Sequence, residues 1–185
     1  MSTDAGSECD VRIAVIILLS VYYASAIAAD VPPAYAIAVR GSRVPAMLLY
    51  AVALQESGMP WSGRLVPWPW TLNVAGTPYR LLNRQQACHV LTREIARNPR
   101  TRIDIGLTQI NLGHQGHRVS APCQLLDPYR NLGVAVQILD EHSADGADWI
   151  TVAGRYHRPA GGTHAARYRE SIARRLDTLE RSAEK

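Results

Sequence analysis

The sequence predicts one mainly helical domain with a loop or short hairpin region in its middle. The chain has 185 residues, of which 47% are hydrophobic and 19% are charged, and this composition is typical of a single globular domain. Apolar residues recur at helical spacing in several segments. A stretch rich in Pro, Gly and Trp separates the first long helical segment from the later ones.

The first half of the domain contains a short and a long predicted helix. Residues 33–39 form a short helix or turn, and residues 44–56 form a long helix that Gly58 and Pro60 stop. The apolar stripe of the long helix consists of Leu48, Leu49, Val52 and Ala53. Residues 61–77 include WPWTLNVAG, which predicts a loop or a short hairpin.

The second half is predicted to be mostly helical. Residues 83–96 have helical periodicity, and residues 103–111 alternate loosely between apolar and polar side chains. Helices are predicted at residues 131–142 and 149–156, and a last amphipathic helix spans residues 164–179. The first of these three helices has an inner face formed by Leu132, Ala135, Val136 and Leu139.

The N-terminus is predicted to be an export signal. Residues 13–29 read IAVIILLSVYYASAIAA, an apolar run that ends in small residues, as in a secretory signal cleaved after Ala28 or Ala29. An anchor that stays in the inner membrane is the alternative, because a run of 17 residues reaches the lower limit for a membrane span. We expect cleavage and a periplasmic protein.

The residues before the apolar run are acidic, whereas signal sequences normally start with a positive region. We therefore predict that translation begins at Val11. The chain is divided into a signal at residues 1–29, a domain at residues 30–180 and a charged tail at residues 181–185.

The exported chain is predicted to be basic. Removal of the signal takes away three acids and one arginine, so the formal net charge rises from +4 to +6. A positive charge outside the cytoplasm favours an anionic polymer or surface as partner, such as the cell wall or anionic lipid. The arginines are scattered and do not alternate with aromatic residues, so no nucleic-acid partner is predicted.

Cys88 and Cys123 are the cysteines left after removal of the signal, and this parity predicts one disulfide in an oxidising compartment. The bond would close a loop of about 35 residues and stabilise the domain by roughly 3 to 4 kcal/mol. Two buried free thiols are the alternative. Neither cysteine has a CxxC partner, and His114 and His117 lack a ligand frame, so no metal and no cofactor are predicted.

Glu56 is the candidate for a catalytic acid. It lies at the end of an apolar predicted helix, directly before Ser57-Gly58. Burial beside Ala53 and Leu54 would disfavour its charged form and raise its pKa, as a proton donor near neutral pH requires. The alternative is a solvated glutamate at a helix end.

Three short sequence blocks, one of which contains Glu56, indicate a more specific function than this residue alone. They are Glu56-Ser57 at a helix end, GLTQIN at residues 106–111, and AGRYH at residues 153–157, which is followed by Tyr168. In order and spacing they resemble the SLT domain of lytic transglycosylases, the goose-lysozyme-like branch of the lysozyme superfamily. The segment PWPWTLNVAG at residues 67–76 further resembles variants encoded with conjugative elements and secretion systems.

The resemblance implies an α+β lysozyme-like fold, in which a helical domain carries a small loop or hairpin region that lines a sugar-binding cleft. It implies that Glu56 is the catalytic acid and base and that Tyr156 hydrogen-bonds near the catalytic carboxyl group. The predicted substrate-binding residues are Ser57, Gln109, Asn111, Tyr156 and Tyr168. Local hydrogen bonding is the alternative for Ser57, and core packing is the alternative for Tyr156. Thr108 stands where the family usually has Met, and His157 stands where it usually has Asn.

The implied chemistry needs one well-placed carboxyl group. A hydrolytic glycosidase normally needs two. A transglycosylase needs only Glu56, which protonates the glycosidic oxygen and then takes the proton of the muramic acid 6-hydroxyl as that hydroxyl closes a 1,6-anhydro ring. Asp104 is the rival acid, and its place beside Arg102 favours a structural role.

The resemblance thus predicts an exported lytic transglycosylase. It would cleave the MurNAc–GlcNAc bond of peptidoglycan glycan strands and open the wall locally for a conjugation or secretion apparatus, whose components are possible partners. One alternative is a hydrolytic muramidase, which requires a second carboxylate across the cleft from Glu56. The other is a non-catalytic wall-binding assembly protein of such an apparatus.

Overall fold

The computed structural model describes residues 31–184. The described elements are α1 Pro33–Ala38, α2 Ala46–Ser57, β1 Gly58–Trp61, β2 Arg64–Pro67, β3 Thr71–Val74, β4 Thr77–Arg80, α3 Arg84–Ile95, β5 Ile103–Ile105, β6 Ile110–Asn111, α4 Leu112–Gln115, α5 Pro128–His142, α6 Trp149–His157 and α7 Gly162–Ala183. The class is α+β, as a helical domain with a small strand region. None of the described helices combines the length and the apolar character needed to cross a membrane. The predicted signal, its alternative as an anchor and the start at Val11 lie outside the described residues.

The helices occupy the predicted segments with shifted ends. Helix α5 begins three residues before the predicted start at 131, because Pro128 occupies its first turn and the Asp127 side chain caps it by accepting from the Arg130 N–H. Helix α7 extends past residue 179 to Ala183, so part of the predicted tail at 181–185 is helical. An ion pair between Arg181 and Asp177, one helical turn apart, lies on this last stretch.

Residues 58–80 are more regular than the predicted loop or single hairpin, because they form two hairpins. Each hairpin turns over two residues with positive φ, Ser62-Gly63 in the first and Ala75-Gly76 in the second. Of the two prolines in the predicted loop, Pro67 is paired with Gly58 in the two-stranded sheet, and Pro69 lies between β2 and β3.

The larger sheet is antiparallel, with the strand order β4-β3-β5-β6. Its register aligns Asn73 with Asp104 and Asp104 with Asn111. The neighbours of these polar residues along the strands are buried in the core, namely Leu72, Val74, Ile103, Ile105 and Ile110. Because side chains alternate along a strand, one face of the sheet is apolar and the other carries a polar row of Asn73, Asp104 and Asn111.

Helix α2 is the centre of the domain. It packs against α1, α5 and α7. Its side chains are buried on more than the single predicted stripe, since Ala51 and Leu54 are buried as well. A helix that is apolar around most of its circumference is stable only when other elements surround it. The surroundings of α2 therefore determine where its C-terminal residue pair, Glu56 and Ser57, is held.

The predicted disulfide between Cys88 and Cys123 is present. It connects α3 to a 3₁₀ turn at Pro122–Leu126, across a sequence separation of 35 residues. A closed loop of this length corresponds to a stabilisation of roughly 3 to 4 kcal/mol.

A buried amide joins α5 to the turn between β5 and β6. The Asn131 Oδ1 atom accepts hydrogen bonds from the Thr108 N–H at 3.0 Å and from the Thr108 hydroxyl at 2.7 Å. The Asn131 Nδ2 atom donates to the carbonyl oxygens of Ile105 at 2.8 Å and Leu125 at 2.9 Å. A Cβ atom at Gly106, where φ is +83°, would lie 2.3 Å from Nδ2. The Asn131 side chain therefore packs so closely against this turn that position 106 has room only for glycine.

We predict that Asn131→Ala lowers the free energy of unfolding by roughly 3 kcal/mol, because it leaves the buried Thr108 N–H and two carbonyl groups without partners. Asn98→Ala is the matched control. The Asn98 amide donates to Glu94 in a partly buried position, and its loss should cost roughly 1 kcal/mol. Urea unfolding of both variants measures the difference. Equal losses would contradict the importance given to Asn131.

Candidate active site

A cavity of about 430 Å³ lies between the polar face of the sheet and the helices. Its lining comes from strands β3, β5 and β6, from the turn before β6, and from helices α2, α4, α5 and α6. The polar lining residues are Glu56, Asn73, Asp104, Gln109, Asn111, His114, Gln115, His142, Tyr156 and His157. Of the seven residues that the sequence suggested as catalytic acid, rival acid or substrate-binding residue, five line the cavity, namely Glu56, Asp104, Gln109, Asn111 and Tyr156. Ser57 and Tyr168 are not among the lining residues.

Glu56 enters the cavity from the end of α2, and its side chain is only partly reached by solvent. The Tyr168 hydroxyl donates a hydrogen bond of 2.6 Å to Glu56 Oε1. Burial raises the pKa of Glu56 to about 7; the Tyr168 hydrogen bond opposes this rise, the charge of Asp104 adds to it and the charge of Arg175 opposes it. A carboxyl group with this pKa is protonated in a large fraction of molecules near neutral pH and is able to donate its proton.

Tyr168, which hydrogen-bonds to Glu56, is itself in contact with His157. Their rings are stacked, with centroids 4.5 Å apart and planes 6° from parallel. Burial lowers the pKa of His157, and the charges of His164 and Arg158 lower it further, so the ring is favoured in its neutral form. The stacked neutral ring limits the orientations available to the Tyr168 phenol.

The resemblance implied that Tyr156 hydrogen-bonds near the Glu56 carboxyl group; the hydroxyl that donates directly to this carboxyl group is that of Tyr168. Tyr156 lines the cavity, but its hydroxyl donates to the Thr108 carbonyl oxygen at 2.8 Å. Burial raises the pKa of Tyr156 well above its usual range, so it stays a neutral donor. Tyr156 therefore connects α6 to the turn before β6.

Ser57 is fully buried and does not line the cavity. Its hydroxyl lies 2.7 Å from the Leu107 carbonyl oxygen and 3.1 Å from the Ala53 carbonyl oxygen. A hydroxyl has one proton to donate, and both acceptors belong to the protein backbone. Ser57 therefore connects α2 to the β5–β6 turn. Its position does not support the predicted contact with substrate.

Gln109 occupies a strained position at the end of the β5–β6 turn, with φ at +49°. Its Nε2 atom donates to the carbonyl oxygens of Gly106 at 2.8 Å and Thr71 at 3.3 Å. The side chain therefore braces the turn against β3 while it lines the cavity. Strain that packing maintains is common at binding sites.

Asn111 also lines the cavity, but its amide is saturated by the protein. The Nδ2 atom donates to Asp104 Oδ1 at 2.8 Å and to the Thr101 carbonyl oxygen at 3.0 Å. The Oδ1 atom caps α4 by accepting from the backbone N–H groups of Gly113 and His114, each at 3.1 Å. With both hydrogens used, Asn111 orients the Asp104 carboxyl group and caps a helix.

Asp104 lines the cavity, and its interpretation as a structural acid stays a prediction. Arg102 is directed elsewhere and donates to the Ala75 carbonyl oxygen. Burial raises the pKa of Asp104, while the hydrogen bond from Asn111 and the charge of His114 oppose the rise. Asp104 therefore supplies a second carboxyl group on the sheet side of the cavity.

Asn73 is a cavity residue that the sequence reasoning did not select. It lies next to Asp104 in the strand register and lines the same cavity. The tripeptides Leu-Asn-Val and Ile-Asp-Ile both place one polar residue between two apolar ones, which is the pattern of a half-buried strand. Reading both as strands would have predicted that Asn73 and Asp104 share the open face of a sheet.

Within residues 31–184, no group of three or more His, Cys, Asp or Glu side chains is arranged to hold a metal ion. The cavity offers the Glu56 carboxyl group with its raised pKa, a second carboxyl group, and amide, phenol and imidazole groups. This set is suited to acid–base chemistry on a neutral polar ligand.

No protein-family model, curated protein or solved structure matches this chain. The function is therefore inferred from the geometry of the cavity and from the three sequence blocks.

We predict that Glu56→Gln makes the protein more stable at high pH and leaves its stability unchanged at low pH. The raised pKa means that the folded state holds the proton more tightly than the unfolded state, so this contribution is complete below pH 4.5 and is lost as the pH rises to about 7. Glutamine stays neutral and still accepts from Tyr168, so we expect a gain of roughly 2 kcal/mol at pH 8 and none at pH 4.

Urea unfolding at pH 4 and pH 8 measures this difference, with Glu141→Gln as the control of opposite sign. The hydrogen bond from Arg118 lowers the pKa of Glu141, so its contribution is present at high pH and is lost on acidification. Loss of stability in Glu56→Gln at pH 8 would contradict burial of the neutral acid.

Proposed function

We propose that this protein is an exported lytic transglycosylase that cleaves the MurNAc–GlcNAc bond of peptidoglycan with Glu56 as acid and then base. The observation that carries the proposal is the Glu56 carboxyl group, which is partly buried in a cavity, has a pKa near 7 and accepts a hydrogen bond from Tyr168. The order and spacing of the three blocks support the same assignment. The fold proposed with it is lysozyme-like, with the cavity as the sugar cleft.

The reaction needs one proton to move out of Glu56 and one to return. The protonated carboxyl group gives its proton to the glycosidic oxygen, and the bond between this oxygen and the anomeric carbon of MurNAc breaks. The 6-hydroxyl oxygen of the same MurNAc then bonds to that carbon, and its proton passes to the Glu56 carboxylate. No water enters the product. The hydrogen bond from Tyr168 stabilises the carboxylate between these two steps.

The setting of the enzyme is proposed from the disulfide and the sequence. The Cys88–Cys123 bond is typical of an oxidising compartment, which together with the predicted signal favours the periplasm. The segment at residues 67–76 resembles variants encoded with conjugative elements and secretion systems, and this supports a role in opening the wall for such a machine. In the structure, this segment is held to the domain by the Trp68 indole N–H, which donates to the Leu81 carbonyl oxygen at 2.7 Å.

We predict that the mature protein releases anhydromuropeptides from purified peptidoglycan sacculi and that Glu56→Gln lowers their rate of release by roughly 1000-fold or more, because the general acid is lost. Mass spectrometry of the products measures this. Glu141→Gln changes an exposed side chain that does not line the cavity, and it should keep the wild-type rate. A folded wild type that binds sacculi and releases nothing would reject the proposal and favour a non-catalytic wall-binding protein.

A hydrolytic muramidase is the second candidate, and Asp104 is the observation that favours it. Hydrolytic glycosidases use two carboxyl groups, and Asp104 brings a second one into the cavity of Glu56. In such an enzyme Asp104 would activate water or stabilise the cationic sugar. The transglycosylase is preferred because the three blocks resemble that family.

We predict that Asp104→Asn keeps product formation within roughly tenfold of wild type if the enzyme is a transglycosylase, because the chemistry uses Glu56 alone. In a muramidase the same change should lower the rate by roughly 1000-fold, and the wild-type products would be heavier by one water. The Asn111 side chain still has an acceptor in this variant, so the sheet wall is kept. Product masses together with the variant's rate distinguish the two reactions.

A further inference from the structure

Helix α7 contacts the last turn of helix α2 through three residues on one face. Tyr168, Ser171 and Arg175 are spaced by three and four positions, so their side chains lie along the same face of α7. The Tyr168 hydroxyl donates to Glu56 Oε1 at 2.6 Å. The Ser171 hydroxyl and the Arg175 Nε atom both donate to Gln55 Oε1, each at 2.8 Å. Two consecutive residues of α2 are therefore held by successive turns of the same helix.

Arg175 is a partly buried cation without an ion pair of its own. The ion pairs found among the described residues all use other arginines. The group that accepts from Arg175 is the neutral amide of Gln55. Burial lowers the pKa of Arg175, and its interactions with Tyr168 and Glu56 oppose this change. Because a partly buried charge is costly unless an opposite charge is near, the ionised form of Glu56 is the natural counter-charge of Arg175.

The titratable and charged groups around Glu56 come from every element that packs against it. They are Tyr168 and Arg175 on α7, Tyr156 and His157 on α6, Asp104 on β5, His114 on α4 and His142 on α5. The charge of Asp104 disfavours a second carboxylate beside it, whereas the charge of Arg175 favours one. Burial lowers the pKa of His142 and of His157, so these rings are favoured in their neutral form. Arg175 is the member of this group that stays positive at every pH at which the protein is folded.

Arg175 does not line the cavity that contains Glu56. It lines a separate groove of about 1210 Å³, together with Leu54 and Ser171. An effect of Arg175 on Glu56 therefore passes through the protein and does not require contact with a bound sugar.

We propose that Arg175 is a positioning residue which, held by Gln55, stabilises Glu56 as a carboxylate, the form that exists after proton donation and before proton return. Burial alone would keep the proton on Glu56 and make it a weak acid. The charge of Arg175 and the hydrogen bond from Tyr168 offset part of this effect, so the proton is able to leave. This inference rests on the proposed function and names the residue that lets one carboxyl group serve as acid and as base.

The first test measures the charge state of Glu56 without substrate. Carbon-13 NMR follows the titration of the Glu56 carboxyl signal, which is identified by its loss in Glu56→Gln. Arg175→Gln removes the charge and keeps an amide that is able to donate to Gln55. It should raise the titration midpoint by roughly 0.5 to 1 pH unit, because the carboxylate loses its cation. Arg175→Lys, which keeps the charge, should restore at least half of the shift.

Two variants control for changes other than this charge. Arg174→Gln removes the same charge from the adjacent exposed position, and Ser171→Ala removes the other hydrogen bond to Gln55. Both should keep the midpoint within roughly 0.2 pH unit of wild type, because an exposed charge is screened by solvent and salt. An unchanged midpoint in Arg175→Gln, or an equal rise in Arg174→Gln, would overturn the inference. Arg175→Met allows the same comparison should Arg175→Gln fail to fold.

Kinetics on soluble peptidoglycan strands separates this inference from the proposed function. At pH 5, where Glu56 is mostly protonated in both proteins, Arg175→Gln should lower kcat roughly 3- to 10-fold with KM within about twofold of wild type, because the acid is weaker and the sugar contacts are unchanged. A raised midpoint in a protein that releases no products would reject the enzyme and keep the role of Arg175. Product release by the wild type, with an unchanged midpoint in Arg175→Gln, would keep the enzyme and reject that role.

Discussion

The buried amide of Asn131 is the interaction on which the arrangement of the site depends. Its four hydrogen bonds join α5 to the β5–β6 turn and to the segment that carries Cys123. An amide with all its hydrogen-bonding capacity used has one stable orientation, and a change of one partner would leave another buried group unpaired. The turn that it holds receives the Ser57 and Tyr156 hydroxyls, so helix α2, which carries Glu56, and helix α6 are positioned from the same few backbone atoms.

Thr108 and His157 differ from the residues that the resemblance leads one to expect, and each makes a specific contact in this structure. Thr108 stands where the resemblance expects Met, and its hydroxyl donates to Asn131, which a thioether is unable to do. His157 stands where an Asn is expected, and its ring stacks on Tyr168. Thr108 thus helps to hold the β5–β6 turn, and His157 helps to hold Tyr168, which hydrogen-bonds to Glu56.

Several groups in the cavity are held in states that do not favour stability. Glu56 is kept largely neutral by burial, Gln109 has a strained backbone, and Asn73 lacks a donor. Elsewhere the described polar groups are well satisfied, as with Asn131. Such concentration of unfavourable groups in one cavity is expected where a protein binds a ligand, because binding and catalysis use the strained geometry and the perturbed pKa.

The sequence by itself determined the helical segments, the disulfide and the selection of Glu56, because these depend on local periodicity, cysteine parity and an acid at the end of an apolar helix. Only the tertiary structure decided that Tyr168 rather than Tyr156 contacts Glu56, that Ser57 and Asn111 bond to the protein, and that Asp104 and Asn73 share the cavity. Those facts depend on strand register and on helix packing between residues up to 112 positions apart. A local sequence pattern indicates which residue types are present for the chemistry. The partner of each side chain is decided by the distant groups that the fold brings within hydrogen-bond distance.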